Sequence, residues 1–174
     1  MAGETPPLEQ LIAAEFEGLL DESMKKIGHC VGQLSDEQLW QRPEPSMNSV
    51  GNLLLHISGN LQQWAVCGVG QQPDQRDRDA EFSATGGLTG DELLAIVGRT
   101  VEAAKATIRS LPSDTLNDPR SIQGFDVTVF GALSHTVTHF VGHTHQIIQL
   151  TRLMLGDAYA FQWTTESARG RVPI

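Results

Sequence analysis

The sequence predicts an all-α protein built as a four-helix bundle. Three observations carry that reading. Four long segments place apolar residues at steps of three and four. Good N-cap residues stand before the later ones. Strand-like alternation is almost absent. Helices of this kind are stable only when their apolar stripes are buried against one another. Two short connections and two longer ones allow several topologies. The 174 residues fit a single domain, 1–174, whose tail runs from 157 to 174.

The first helix spans Pro7 to about Gln33. Leu8, Leu11, Ile12, Phe16, Leu19, Leu20, Met24, Ile27 and Val31 form its inner face, and Glu9, Glu15, Glu17, Asp21, Glu22, Lys25 and Lys26 its wet one. Ser35 and Gln38 have capping-box spacing, so one short helical turn precedes Pro43. The second long helix starts at Asn48 or Ser49 and carries Val50, Leu53, Leu54, Ile57, Leu61 and Trp64 inward. Residues 70–87 show no helical period and read as a long loop, functional or loosely ordered. Thr89 caps the third helix, which ends near Leu111 before Pro112. An irregular link follows, with one extended piece around Phe125 to Val127. The last helix runs from about Thr128 to Leu155 and stops at Gly156. In the tail, Phe161 and Trp163 are candidates to dock on the bundle, and the final residues read as loose.

A net charge of −9 argues against nucleic acid, which calls for a basic stripe. No apolar run reaches the roughly 18 residues of a membrane span. The start of the chain lacks the basic and apolar regions of a signal peptide. Cys30 and Cys67 lie in apolar segments and read as reduced, buried hydrophobes. The expected compartment is the cytoplasm.

The first and third helices have ordinary charged faces; the second and fourth do not. From Pro45 to Pro73, and again from Val127 to Thr151, there is no Asp, Glu, Lys or Arg. A solvated helix face of that length normally recruits Glu and Lys. Polar but uncharged faces instead suit a cleft, an interface or a site. Four of the six histidines fall in "HTVTHFVGHTH", residues 135–145, and His56 lies on the flank of the second helix near Asn60 and Gln63.

Histidines at i and i+4 can share one ion, because their Cβ atoms are about 5–6 Å apart. Three at i, i+4, i+8 cannot, since the outer two are separated by about 12 Å along the axis. The last helix therefore offers His135 with His139, or His139 with His143. A third ligand must come from elsewhere, from His56 ahead of His29. The pattern argues against a zincin-type protease, because Phe140 or Thr136 stands where its catalytic glutamate belongs.

The stretches "NSVGNLLLHISGNLQQW" (48–64), "RDRDAEF" (76–82) and "HTVTHFVGHTHQI" (135–147) resemble the DinB/YfiT-like superfamily, closest to an uncharacterised branch of it. The resemblance spans most of the chain. It implies an up-down-down-up four-helix bundle, often a homodimer, that binds a divalent metal through three histidines. Those ligands fall on His56, His139 and His143. One departure is His145, where many relatives carry glycine before the glutamine that is Gln146 here. Better-understood branches are similar to metal-dependent thiol transferases, and others have been regarded as hydrolases or isomerases.

Three imidazoles leave open positions on an ion, as catalytic sites do. Zinc or nickel suits such a set best. The expected activity is S-transfer from a low-molecular-weight thiol to a small-molecule substrate. Its alternatives are hydrolysis by an activated water and a bundle that binds metal or ligand without turnover. His135 reads first as a hydrogen-bonded core histidine, and second as a neighbour or general base of the site. Asn60 and Gln146 either orient ligands or pack helices. Arg76, Arg78, Glu81 and Phe82 form either a solvated charge run or the cleft edge, where an arginine would receive a thiol cofactor's carboxylate.

Overall fold

The computed structural model describes residues 6–112 and 114–162. Its long helices are α1 (Leu8–Val31), α3 (Val50–Leu61), α5 (Gly90–Ser110) and α6 (Val129–Leu155); the short helices α2 (Asp36–Trp40) and α4 (Arg78–Ser83) sit in the connections. Cap chemistry sets the starts. Ser35, Ser49 and Thr89 each accept from the N3 amide, while the N3 side chains Gln38, Asn52 and Glu92 reach back to the cap amide. Thr128 opens α6 by accepting from the Gly131 amide, and Gly156 closes it with φ of 52°.

Cross-helix pairs fix the topology. Lys105 meets Asp21 and Arg109 meets Glu17, so α1 and α5 are antiparallel. Ser58 bonds Thr100 and Gly70 lies beside Thr107, which makes α3 and α5 parallel. Asn60 pairs with Thr136 and His56 with His139, so α3 and α6 run opposite ways. Phe16 on Phe130 and His29 against Tyr159 align α1 with α6. The result is an up-down-down-up bundle around Leu20, Ile27, Leu53, Leu93, Leu133 and Phe140, all fully buried. Cys30 and Cys67 are free and buried. No described helix is long and apolar enough to cross a membrane.

Three local features differ from expectation. The second long helix continues past Leu61 as a π-helical stretch, Gln62–Val69, with i+5 bonds from the Gly70 amide to Ala65 and from the Gln72 amide to Cys67. The link before α6 holds a hairpin, β1 (Pro119–Ile122) with β2 (Phe125–Thr128), not one extended piece. Gln123 and Gly124 both have positive φ, as its two-residue turn demands. The 70–87 segment contains α4 and is anchored to the bundle. Asn52, fully buried, donates through Nδ2 to the Glu81 and Ala84 carbonyls at 2.9 and 2.8 Å. Arg42 reaches the Phe82 carbonyl.

Asn52 thus serves two elements at once, capping α3 and holding α4. Asn52→Ala removes the cap bonds and orphans two carbonyls. The expected cost is about 2–4 kcal/mol, read from urea or guanidinium unfolding. A loss below about 0.5 kcal/mol would show that α4 does not depend on this side chain.

In the tail, Phe161 is 61% exposed and meets Tyr159 edge-on, so the partly buried Tyr159 makes the core contact. Trp163 and the final residues lie outside the described part.

Candidate metal centre

The antiparallel pairing of α3 with α6 brings the two charge-free helix faces together. His56, His139 and His143 converge there, with one nitrogen from each ring lying within 4.8 Å of the others. His56 Nε2 and His139 Nε2 are 3.3 Å apart. Nitrogens bound tetrahedrally to one zinc at about 2.0–2.1 Å sit about 3.3–3.4 Å apart, so this pair already has that spacing. The i, i+4 rings of His139 and His143 have centroids 4.5 Å apart. His56 is buried; the other two are half-buried.

The far nitrogens show which atoms face inward. His56 Nδ1 lies 3.0 Å from Glu81 Oε2. Burial pushes the Glu81 carboxyl up, but bonds from Arg76 and His56 outweigh this and hold it below the usual range. It is therefore ionised and can only accept, which places the imidazole proton on Nδ1 and a lone pair on Nε2. Arg76 Nη2 also approaches His56 Nδ1, at 3.2 Å, and both donors point to the same Oε2. His143 Nδ1 donates to Gln146 Oε1 at 2.8 Å, turning its Nε2 inward as well.

His139 completes the set. Burial first, then the neighbouring His143, His56 and His135, push its pKa down to about 4. His143 is also lowered, mainly by burial and partly offset by Gln146. Both rings are thus neutral near pH 7, the form that binds a metal. His139 Nδ1 is buried without a partner among the described residues. Three imidazoles, two of them oriented by partners on their outer nitrogens, are a donor set that fits a divalent transition metal and leaves positions open on it.

The remaining candidates fall in several places. His29 donates through Nε2 to the Ala160 carbonyl of the tail, 2.6 Å away, and is no part of the cluster. His145 is exposed and off the site. His135 is not a core histidine: it is exposed and lies over Trp64, ring centroids 4.2 Å apart, with His139 at 5.9 Å. The π-helical stretch carries Trp64 to this position. Asn60 accepts from Thr136 and packs helices, whereas Gln146 orients a ring.

The Arg76–Glu81 segment is not a solvated charge run. The two side chains are 4% and 8% exposed and joined at 2.6 Å. Arg76 also donates to Gln63 Oε1, so its guanidinium is committed within the protein. Arg78 is exposed and sits 5.2 Å above the Phe82 ring, which itself lies 4.8 Å from the His56 ring. Beside the Arg76–Glu81 pair opens a cleft of about 500 Å³ lined by Leu55, Gly59, Gln62 and Cys67 and by none of the imidazoles.

Three solved structures share this architecture. A conserved protein from Enterococcus faecalis aligns with TM-score 0.72 and 16% identity over 87% of this chain and 99% of its own. A DinB-like protein from Bacillus cereus gives 0.63 and 16%, over 79% and 91%. The DinB-like protein YjoA from Bacillus subtilis gives 0.64 and 15%, over 87% and 99%. At such identities the likeness is one of fold. No curated protein matches the chain. The profile described as "Protein of unknown function (DUF1572)" matches residues 13–167. With most of its length under that profile, the chain belongs to the DUF1572 family, and it shares its fold with DinB-like bundles.

Proposed function

We propose that the chain is a metal-dependent enzyme whose His56, His139 and His143 hold a divalent ion, zinc or nickel, and that it transfers a low-molecular-weight thiol to a small electrophile. The observation that carries the proposal is the convergence of three imidazoles from two charge-free helix faces. When bound, such an ion supplies a Lewis acid that lowers the pKa of a thiol or water.

The surroundings favour thiol over water. Glu81, the carboxylate nearest the rings, faces the outer nitrogen of His56 and is neutralised by Arg76, so it is poorly placed as a base. A thiol ionises near neutral pH far more readily than water and has less need of one. Arg78 over Phe82, beside His56, takes the part first considered for any arginine of this segment: it can receive a carboxylate of the thiol. In the net reaction a sulfur–carbon bond forms, and the leaving group departs with the thiol's proton. Hydrolysis is the second reading, favoured by His135, an exposed imidazole within reach of the cluster as a general base.

The test starts with elemental analysis of the purified protein. Loaded protein is then assayed against electrophiles with bacillithiol, mycothiol, glutathione or no thiol. Turnover that requires a thiol supports the transferase; equal turnover without one supports the hydrolase. Metal without turnover in either series leaves a binding module. We further propose a cytoplasmic homodimer, and native mass measurement at micromolar concentration tests the dimer.

A further inference from the structure

Glu81 and Arg76 form a clamp on one side of the imidazole cluster, and we infer that Glu81 is the positioning residue that fixes the tautomer and ring angle of His56. The inference rests on the metal-binding reading above and goes beyond it by giving the 70–87 segment a part in the site. Three observations carry it.

The first is the bond itself. Glu81 Oε2 lies 3.0 Å from His56 Nδ1, and both side chains are more than nine-tenths buried. An imidazole that gives its outer N–H to a carboxylate presents a more basic inner nitrogen in a fixed orientation. The second is that the carboxylate cannot wander. Arg76 grips both its oxygens, through Nε at 2.6 Å and Nη2 at 2.8 Å. Arg76 is steadied in turn by Gln63, and the backbone of Glu81 by Asn52. The third is the space left for it. A Cβ placed on Gly59 would lie 1.9 Å from Glu81 Oε1, so the glycine one turn along from His56 is what lets the carboxylate lie against α3.

Burying an ionised pair gains little stability in itself, and an apolar pair of the same volume often does as well. Stability alone therefore gives a weak account of why this segment folds back to put a carboxylate on a histidine. Orientation of His56 gives a specific one.

Glu81→Gln is the informative variant. Its amide oxygen has to satisfy Arg76, which leaves the NH₂ facing His56. Nδ1 must then accept, and the imidazole proton moves to Nε2, the atom needed by a metal. Imidazole ¹⁵N–¹H correlation spectra of the metal-free protein should show His56 protonated on Nδ1 in the wild type and on Nε2 in Glu81→Gln. Zinc affinity, from competition with a chelator, should fall about 10–100-fold, the range seen when a histidine ligand loses its outer partner. Cobalt substituted for zinc should give an altered absorption spectrum.

A wild-type His56 protonated on Nε2 would overturn the inference without any variant, which covers the case in which Glu81→Gln fails to fold. Zinc affinity within twofold of wild type in a folded Glu81→Gln, with His56→Ala still abolishing binding, would overturn it too. If wild type itself binds no zinc, the metal reading falls, while the tautomer spectra still decide what Glu81 does to His56.

Discussion

His139→Ala should abolish metal binding and leave the metal-free protein nearly as stable as before. The two halves of that result come from the same geometry. His139 sits 3.3 Å from His56 at Nε2 and meets His143 edge-on one turn along, so it approaches both of the other rings. Losing an outer partner of a ligand costs about 10–100-fold in affinity; losing one of the three ligands outright should cost more than about 100-fold. In the metal-free state His139 contributes little. It is half-buried, its Nδ1 has no described partner, and burial holds its pKa down to about 4. Truncation loses some packing, but it also removes an unsatisfied buried group costing about 1–3 kcal/mol. The net change should stay within about 1 kcal/mol.

With metal at 100 times its dissociation constant the wild type gains about 2.7 kcal/mol and the variant nothing, so the gap opens only on loading. The adjacent Phe140 provides the contrast. It is 1% exposed in the core, and Phe140→Ala should cost about 3–5 kcal/mol with or without metal. Melting curves and chelator competition separate the cases. A metal-free His139→Ala that loses several kcal/mol would make His139 a core residue and remove the argument for a site.

The helices were legible because their signals are local. Ser35, Ser49, Thr89 and Thr128 mark starts whose hydrogen bonds close within three residues. The missing charges of α3 and α6 were also readable, and they located the faces on which the imidazoles meet. Spacing could not choose between His135 and His143, since both stand four residues from His139; the choice came from the family resemblance. What stayed hidden depends on long-range meetings. Thr136, Thr144 and Thr151 look like surface residues in sequence. They are fully buried because Thr144 and Thr151 return their hydroxyls to the carbonyl four residues back, and Thr136 finds Asn60. Phe130, an aromatic residue in a helix of the core, is nonetheless 43% exposed. Glu81 read as part of a wet charge run, because nothing near it in sequence reveals Asn52, Arg42 and His56 closing around it. One signal was available: Gly59 interrupts a good helix three residues after His56, and a conformationally costly residue inside a helix marks a close approach.

Gly59→Ala should therefore destabilise the protein and weaken metal binding together, against the helix propensity that favours alanine by about 1 kcal/mol. The new methyl group meets Glu81 Oε1 at 1.9 Å and Arg76 Nε at 2.9 Å. The end of a free glutamate would swing aside at small cost, but this one is buried, bonded to Arg76 and His56, and held at its backbone by Asn52. Moving it parts a buried ion pair, which costs about 3–5 kcal/mol when one charge is left alone. Set against the propensity gain, the net loss should be about 2–4 kcal/mol in the metal-free protein. Zinc affinity should fall by about the same factor as in Glu81→Gln, because both changes reach the ion through His56. Gly98→Ala is the matched control. It lies within α5 with nothing within 4 Å of the added Cβ, and should be stabilised by up to about 1 kcal/mol with unchanged metal affinity. If both glycine variants melt higher and bind zinc alike, the carboxylate is free to move and His56 does not depend on it. A split, with Gly98→Ala up and Gly59→Ala down in both stability and affinity, ties the fold of the 70–87 segment to the chemistry of the imidazole cluster.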